Sequence, residues 1–195
     1  LQLSDEVLEG FDPEANLFAA PPPVRPGLYR VTLSFASDDA SKRWFPIAYN
    51  GDKYTAKAGK TYDKTRLIGK IIQPGGEFDG RRVQDGFVTT GIFGDQTTSK
   101  VASIIHVIGR GAELDNVRTA PELRALFEAC MAAEPQCRVV TDYEWTGSKE
   151  SGYKTVRGKD NFPEDEKGNV IMLLKDPATG EDTPGFAVIS KYLAA

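Results

Sequence analysis

The segment Thr97-Thr98-Ser99-Lys100-Val101-Ala102-Ser103-Ile104-Ile105-His106-Val107-Ile108-Gly109 decides how the rest of the chain is read, because the hydrophobic period changes within it. Val101, Ile104, Ile105 and Ile108 fall at i, i+3, i+4 and i+7, one stripe of a helix. Thr97 and Thr98 can cap its start, and Gly109 and Gly111 can end it. His106, the sole histidine, lies off the stripe. A second stripe, Leu123, Leu126, Phe127, Cys130 and Met131, follows the capping-box pair Thr119 and Glu122 and stops before Pro135. Both stripes read as core.

On either side of these helices the period is two. From Gly27 to Ala36, Tyr29, Val31, Leu33 and Phe35 oppose Leu28, Arg30, Thr32 and Ser34. Arg66 to Gln73 and Arg81 to Thr90 read as two more strands, parted by Pro74-Gly75-Gly76 and Asp79-Gly80. Arg43 to Tyr49 and Asp52 to Lys57 flank Asn50-Gly51, a favoured two-residue turn, and predict a hairpin in which Trp44 pairs with Lys57. Arg138 to Thr146 sets Val139, Thr141, Tyr143 and Trp145 on one face, and Gly185 to Leu193 is the last strand. Gly147 to Pro184 is a long polar connection with room for a short strand at Val170 to Leu174. The expected fold is mainly β with a helical insertion (α+β). It is a five-stranded OB-like barrel with an added hairpin, helices between strands three and four, and a long loop between strands four and five.

A length of 195 residues fits one domain, and 40% hydrophobic with 27% charged residues is ordinary globular composition. No apolar run approaches the roughly 20 residues of a membrane helix. The first residues lack the basic and apolar regions of a secretory signal. A cytoplasmic protein without membrane contact is expected, in the host cytoplasm if phage-encoded. Cys130 and Cys137 lack the partners of a four-ligand zinc set, so neither metal nor cofactor is expected.

The formal net charge of −4 is unevenly spread. Asp5, Glu6, Glu9, Asp12 and Glu14 put −5 into residues 1–24, which have no Lys or Arg, and leave +1 for the remainder. Lys42, Arg43, Lys53, Lys57, Lys60, Lys64, Arg66 and Lys70 face only Asp52 and Asp63 within residues 42–70, a basic stripe. Residues 1–26, with Pro21-Pro22-Pro23 and Pro26, read as an acidic, Pro-rich flexible arm, and residues 27–195 as the binding domain.

Binding of single strands without sequence preference needs cations along a backbone and aromatic faces for bases, each stacked base contributing about 1 to 3 kcal/mol. In the predicted hairpin Trp44, Lys53 and Lys57 share one face, opposite Phe45, Ile47, Tyr49 and Tyr54. They form a candidate base platform flanked by ammonium groups; the alternative is that Trp44 packs under Lys57 as an amphipathic cover. Trp145, Lys149, Tyr153, Lys154, Arg157 and Lys159 form a second cluster where an OB-fold has its ligand-binding loop, unless this is only a solvated hairpin. Arg81 and Arg82, after a turn, are weaker candidates. No catalytic residue is expected. His106 lacks a nucleophile partner and no phosphate-binding loop signature occurs. Asp165-Glu166-Lys167, which imitates an acid-x-Lys nuclease element, follows Pro163 in a polar run and reads as a turn.

The succession Phe78-Asp79-Gly80-Arg81, Asp85-Gly86-Phe87-Val88-Thr89, a helix ending at Gly109, a helix with Glu122-Leu123, and Arg138 to Trp145 resembles the single-stranded DNA-binding proteins of bacteriophages, over roughly residues 27–195. The resemblance implies a non-enzymatic role in DNA replication or recombination. It also implies contact with replication proteins through an acidic arm, N-terminal here where such proteins commonly carry it at the C-terminus. The competing reading is a protein-interaction or virion-structural β-module whose basic face meets an acidic partner; a metal-dependent nuclease comes third.

Overall fold

Alternating sequence becomes sheet wherever one face can be buried. The computed structural model describes residues 23–48, 61–88, 94–148, 150–152 and 154–195. The strands are β1 (Gly27–Phe35), β2 (Trp44–Ala48), β3 (Thr61–Ile71), β4 (Arg82–Val88), β5 (Gln136–Thr146), β6 (Thr155–Arg157), β7 (Leu173–Lys175), β8 (Asp182–Pro184) and β9 (Phe186–Leu193). Two α-helices, α1 (Gly94–Val107) and α2 (Ala120–Ala132), separate β4 from β5. The mainly-β class with a helical insertion is therefore as expected.

Strands β1, β3, β4, β9 and β5 are neighbours in that order, and β1 also pairs with β5, so five strands form a mostly closed sheet. The junctions are antiparallel except β4 with β9, which is parallel and registered only at Gln84 and Val188. By contrast, Lys64 to Lys70 of β3 runs in continuous register with Arg82 to Val88 of β4. The β4–β9 seam is the weakest junction of the ring.

Inside the ring, Val31, Leu33, Leu67, Ile71, Val83, Cys137, Val139 and Ile189 are buried. Full burial of one such aliphatic side chain contributes about 1.5 to 3 kcal/mol. A Cβ at Gly69 would sit 3.2 Å from Val83 Cγ2 and 3.3 Å from both Ile189 Cδ1 and Val31 Cβ, so this position lets three strands converge. Helix α2 covers one end of this core with Phe127, Cys130 and Met131, while α1 contributes Val101, Ile104 and Ile105. The Thr119–Glu122 capping box forms as expected. Asp85 points inward, where it accepts a 2.9 Å hydrogen bond from the Tyr192 hydroxyl and pairs with Lys100 Nζ at 2.7 Å. These contacts tie α1 to β4 and β9 and neutralise a buried charge that would be costly alone.

β2 pairs with β3, Trp44 opposite Thr65 and Ala48 opposite Thr61; the expected pairing of Trp44 with Lys57, with the Asn50-Gly51 turn and Asp52 to Lys57, lies outside the described residues. Two expectations are corrected. The folded body starts before Gly27, since Val24 is only 2% exposed and packs in the core. The connection after β5 is not a bare polar loop. It holds β6, the β7–β8 hairpin and a second core, in which Phe162 packs with Tyr143 and Trp145 while Val156, Val170, Met172 and Leu174 surround them. Among the described residues no helix is long and apolar enough to cross a membrane.

Candidate nucleic-acid interface

Beside the single registered pair of the β4–β9 seam lies a groove of about 530 Å³. Arg81, Arg82 and Gln84 line it from β4 and the turn before it, and Gly185, Phe186 and Ala187 from the start of β9. Ile68 of β3, Pro23 and Val24 also line it, and Met172, Leu173 and Pro184 of the β7–β8 region supply a further wall. The lining is mostly apolar, and Arg81 and Arg82 are its charged residues. Leu173 is 52% exposed, an open apolar surface on the wall.

That wall is held from below. Asp176 is fully buried and accepts backbone N–H bonds from Ser148 at 2.5 Å, Ala178 at 2.9 Å and Thr179 at 3.3 Å. The Ser148 backbone bond, ahead of the opposing burial and the other donors, keeps its carboxyl well below the ordinary carboxylate range. Gly185 N donates to Met172 O at 2.6 Å, fixing the hairpin against the entry to β9.

The outer face of β3 and β4 carries the charge. Residues 64, 66, 68 and 70 point outward, their odd-numbered neighbours inward. Lys70 sits directly opposite Arg82, and Arg66 opposite Gly86. A Cβ at Gly86 would meet Lys64 Cε at 3.3 Å and Arg66 Cγ at 3.7 Å, so the missing side chain makes room for both aliphatic stems. Burial, and next the charge of Arg66, push the Lys64 ammonium below its ordinary value, with Glu144 opposing. This is a face of concentrated positive potential.

The two tryptophans are not open platforms. Trp44 is 8% exposed; its ring lies 5.8 Å from Phe35 and 6.3 Å from Phe127, the Arg124 guanidinium sits 4.4 Å over it, and Nε1 donates to Glu128. Pairing with the fully buried Thr65 sets Trp44 inward beneath α2. Trp145 is 2% exposed, and its Nε1 donates to Thr183 Oγ1 at 2.8 Å and Thr183 O at 3.2 Å. It faces the same way as Val139, Thr141 and Tyr143, and the long connection covers it.

Of the other candidates, Arg81 and Arg82 lie at the groove. Lys154 is exposed, but Arg157 pairs with Glu144, and Lys159 Nζ is 3.8 Å from Glu164. Lys53, Lys57, Lys149 and Tyr153, like the acidic residues 1–22, lie outside the described residues. The structure thus sets Lys70, Gln84 and Phe186 beside Arg81 and Arg82, with Arg66 and Lys64 further along the same face; the sequence reading placed Lys64, Arg66 and Lys70 in a basic stripe without assigning them to the site, and did not select Gln84 or Phe186. The signal for the β3 cations was present in their even-numbered spacing. Both cysteines are buried, and burial raises both thiols, Cys137 to about 11. Among the described residues no group of three or more His, Cys, Asp or Glu side chains is arranged to hold a metal ion. Against known proteins, the chain matches no family model, no curated protein and no solved structure.

Proposed function

We propose that this chain is a non-enzymatic binder of single-stranded DNA, without sequence preference, acting in replication or recombination of the phage type. The observation that carries the reading is the β4–β9 groove, an apolar trough with Arg81 and Arg82 at its lining and Lys70 paired beside Arg82. Extended single strands are held by such a combination of cations for phosphates and apolar or aromatic faces for bases. Phe186, half-buried in the lining, replaces the two tryptophans as the aromatic on which a base stacks.

The connectivity supports the same reading. Counting only the ring strands, the order is first, second, third, fifth, fourth and back to first, with the helices between the third and fourth. OB-folds have this architecture and bind oligonucleotides on the face of strands two and three, between flanking loops that include the one joining strands four and five. Here those are β3, β4 and the connection bearing β7 and β8.

The test is a titration of labelled oligo-dT, followed by fluorescence anisotropy, at several salt concentrations. Contacts from Lys70, Arg81 and Arg82 predict a log-log salt slope of about −2, from about −0.7 per phosphate. Absence of binding, or affinity indifferent to salt, would favour a protein-binding β-module that uses the exposed Leu173 and Ile171.

A further inference from the structure

A second group of cations lies beyond the groove. On the outer face of β1 and β5, Arg30 and Arg138 are directly opposite one another, and both are exposed. Like charges in directly opposed positions of an antiparallel pair destabilise it. Neither is relieved by an acid on the same rungs, since the next one runs Gln136, Thr32, Lys70 and Arg82 across β5, β1, β3 and β4. Arg30, Lys70 and Arg82 form no ion pair among the described residues, whereas Arg25, Arg110, Arg157 and Lys159 do. Arg138 Nε donates to the Ala194 carbonyl at 2.7 Å, which orients the guanidinium without neutralising it.

These four cations form a continuous band. With about 4.8 Å between neighbouring strands, it crosses about 14 Å from β4 to β5. One end, Arg82, is at the groove. We propose that the band is a second binding segment, on which the backbone of a single strand leaving the groove at Arg82 passes over Lys70 and Thr32 to Arg30 and Arg138. The proposal rests on reading the groove as the DNA site. An extended polyanion suits the band because it offers phosphates in series and removes the Arg30–Arg138 repulsion on binding, while uncharged Thr32 and Gln136 add no negative charge to the track.

The experiment compares wild type with the double variant Arg30→Gln and Arg138→Gln, using oligo-dT of about 4 and about 16 nucleotides, the limits of ordinary site sizes per OB-fold. The short oligomer fits the groove and should bind both proteins equally. The long one should bind the variant about 25-fold more weakly at about 0.1 M salt and show a slope shallower by about 1.4, the effect of two lost phosphate contacts. Urea unfolding should show the variant at least as stable as wild type. If the long oligomer gives parallel slopes for both proteins, while Arg81→Gln with Arg82→Gln weakens both oligomers, the band is overturned and the groove stands. If wild type binds neither oligomer, the groove reading fails and the band with it. Binding of a poly-glutamate peptide that depends on Arg30 and Arg138, without DNA binding, would also overturn the proposal and assign the band to a protein partner.

Discussion

Replacing Trp145 by Ala separates a structural indole from a base-stacking one. The side chain is 2% exposed at the centre of the cluster with Tyr143 and Phe162, and its Nε1 reaches both the hydroxyl and the carbonyl of Thr183. Loss of a buried Trp costs about 3 to 5 kcal/mol, including the cavity left behind. Against a typical stability of about 5 to 15 kcal/mol, that is a large fraction. With a urea m-value of about 2 kcal/mol per molar, the midpoint should fall by about 2 M. Trp145→Phe keeps most of the volume but leaves Thr183 without its donor, a loss of about 1 to 3 kcal/mol. Because the cluster fastens the long connection to the ring, amide exchange in residues 155–184 should accelerate more than in β1 or β3. A Trp145→Ala protein with stability within about 1 kcal/mol of the parent, yet weakened in oligonucleotide binding, would refute this reasoning and return Trp145 to the binding surface.

Two pH effects follow from groups held in one protonation state. Cys137 is kept neutral by burial up to about pH 11, against an ordinary value of 9.0. Its contribution is therefore complete below about pH 9 and is lost as pH rises through 11, by about 2 to 3 kcal/mol in all. Tyr192 is also kept neutral, by burial and then by the Asp85 charge, and adds to the same alkaline decline. Cys137→Ala should unfold with a shallower fall between pH 9 and 10, and identical slopes in urea titrations would contradict the assignment. Asp176 is displaced the other way, so its contribution is present above the ordinary carboxylate value and is lost as pH falls below it. Asp176→Asn should flatten the acid limb of a stability profile and loosen the β7–β8 wall; an unchanged acid limb would exclude this role.

What was legible in the sequence was local. The stripe Val101, Ile104, Ile105 and the Thr119–Glu122 box specify helix within a few turns, and both formed. Strand alternation from Gly27 to Phe35 and from Phe186 to Leu193 was equally local. The pairing of β2 with β3 was not, because nothing near Trp44 records that Thr65 lies across from it. The inward face of Trp145 was readable from its shared parity with Val139, Thr141 and Tyr143. Its cover was harder to see, since Val156, Phe162, Val170, Met172 and Leu174 are thinly distributed through a polar connection. The groove was illegible for a related reason. It depends on residues 81–84, 172–173 and 184–187 meeting at a seam, a juxtaposition that no sequence period encodes.

The most direct test of the central claim is a comparison of amide hydrogen exchange in the protein alone and saturated with oligo-dT. The account predicts added protection concentrated at residues 81–84, 172–173 and 184–187, the segments that line the groove. Protection confined to other parts of the chain, with these three segments unchanged under saturating oligonucleotide, would contradict it.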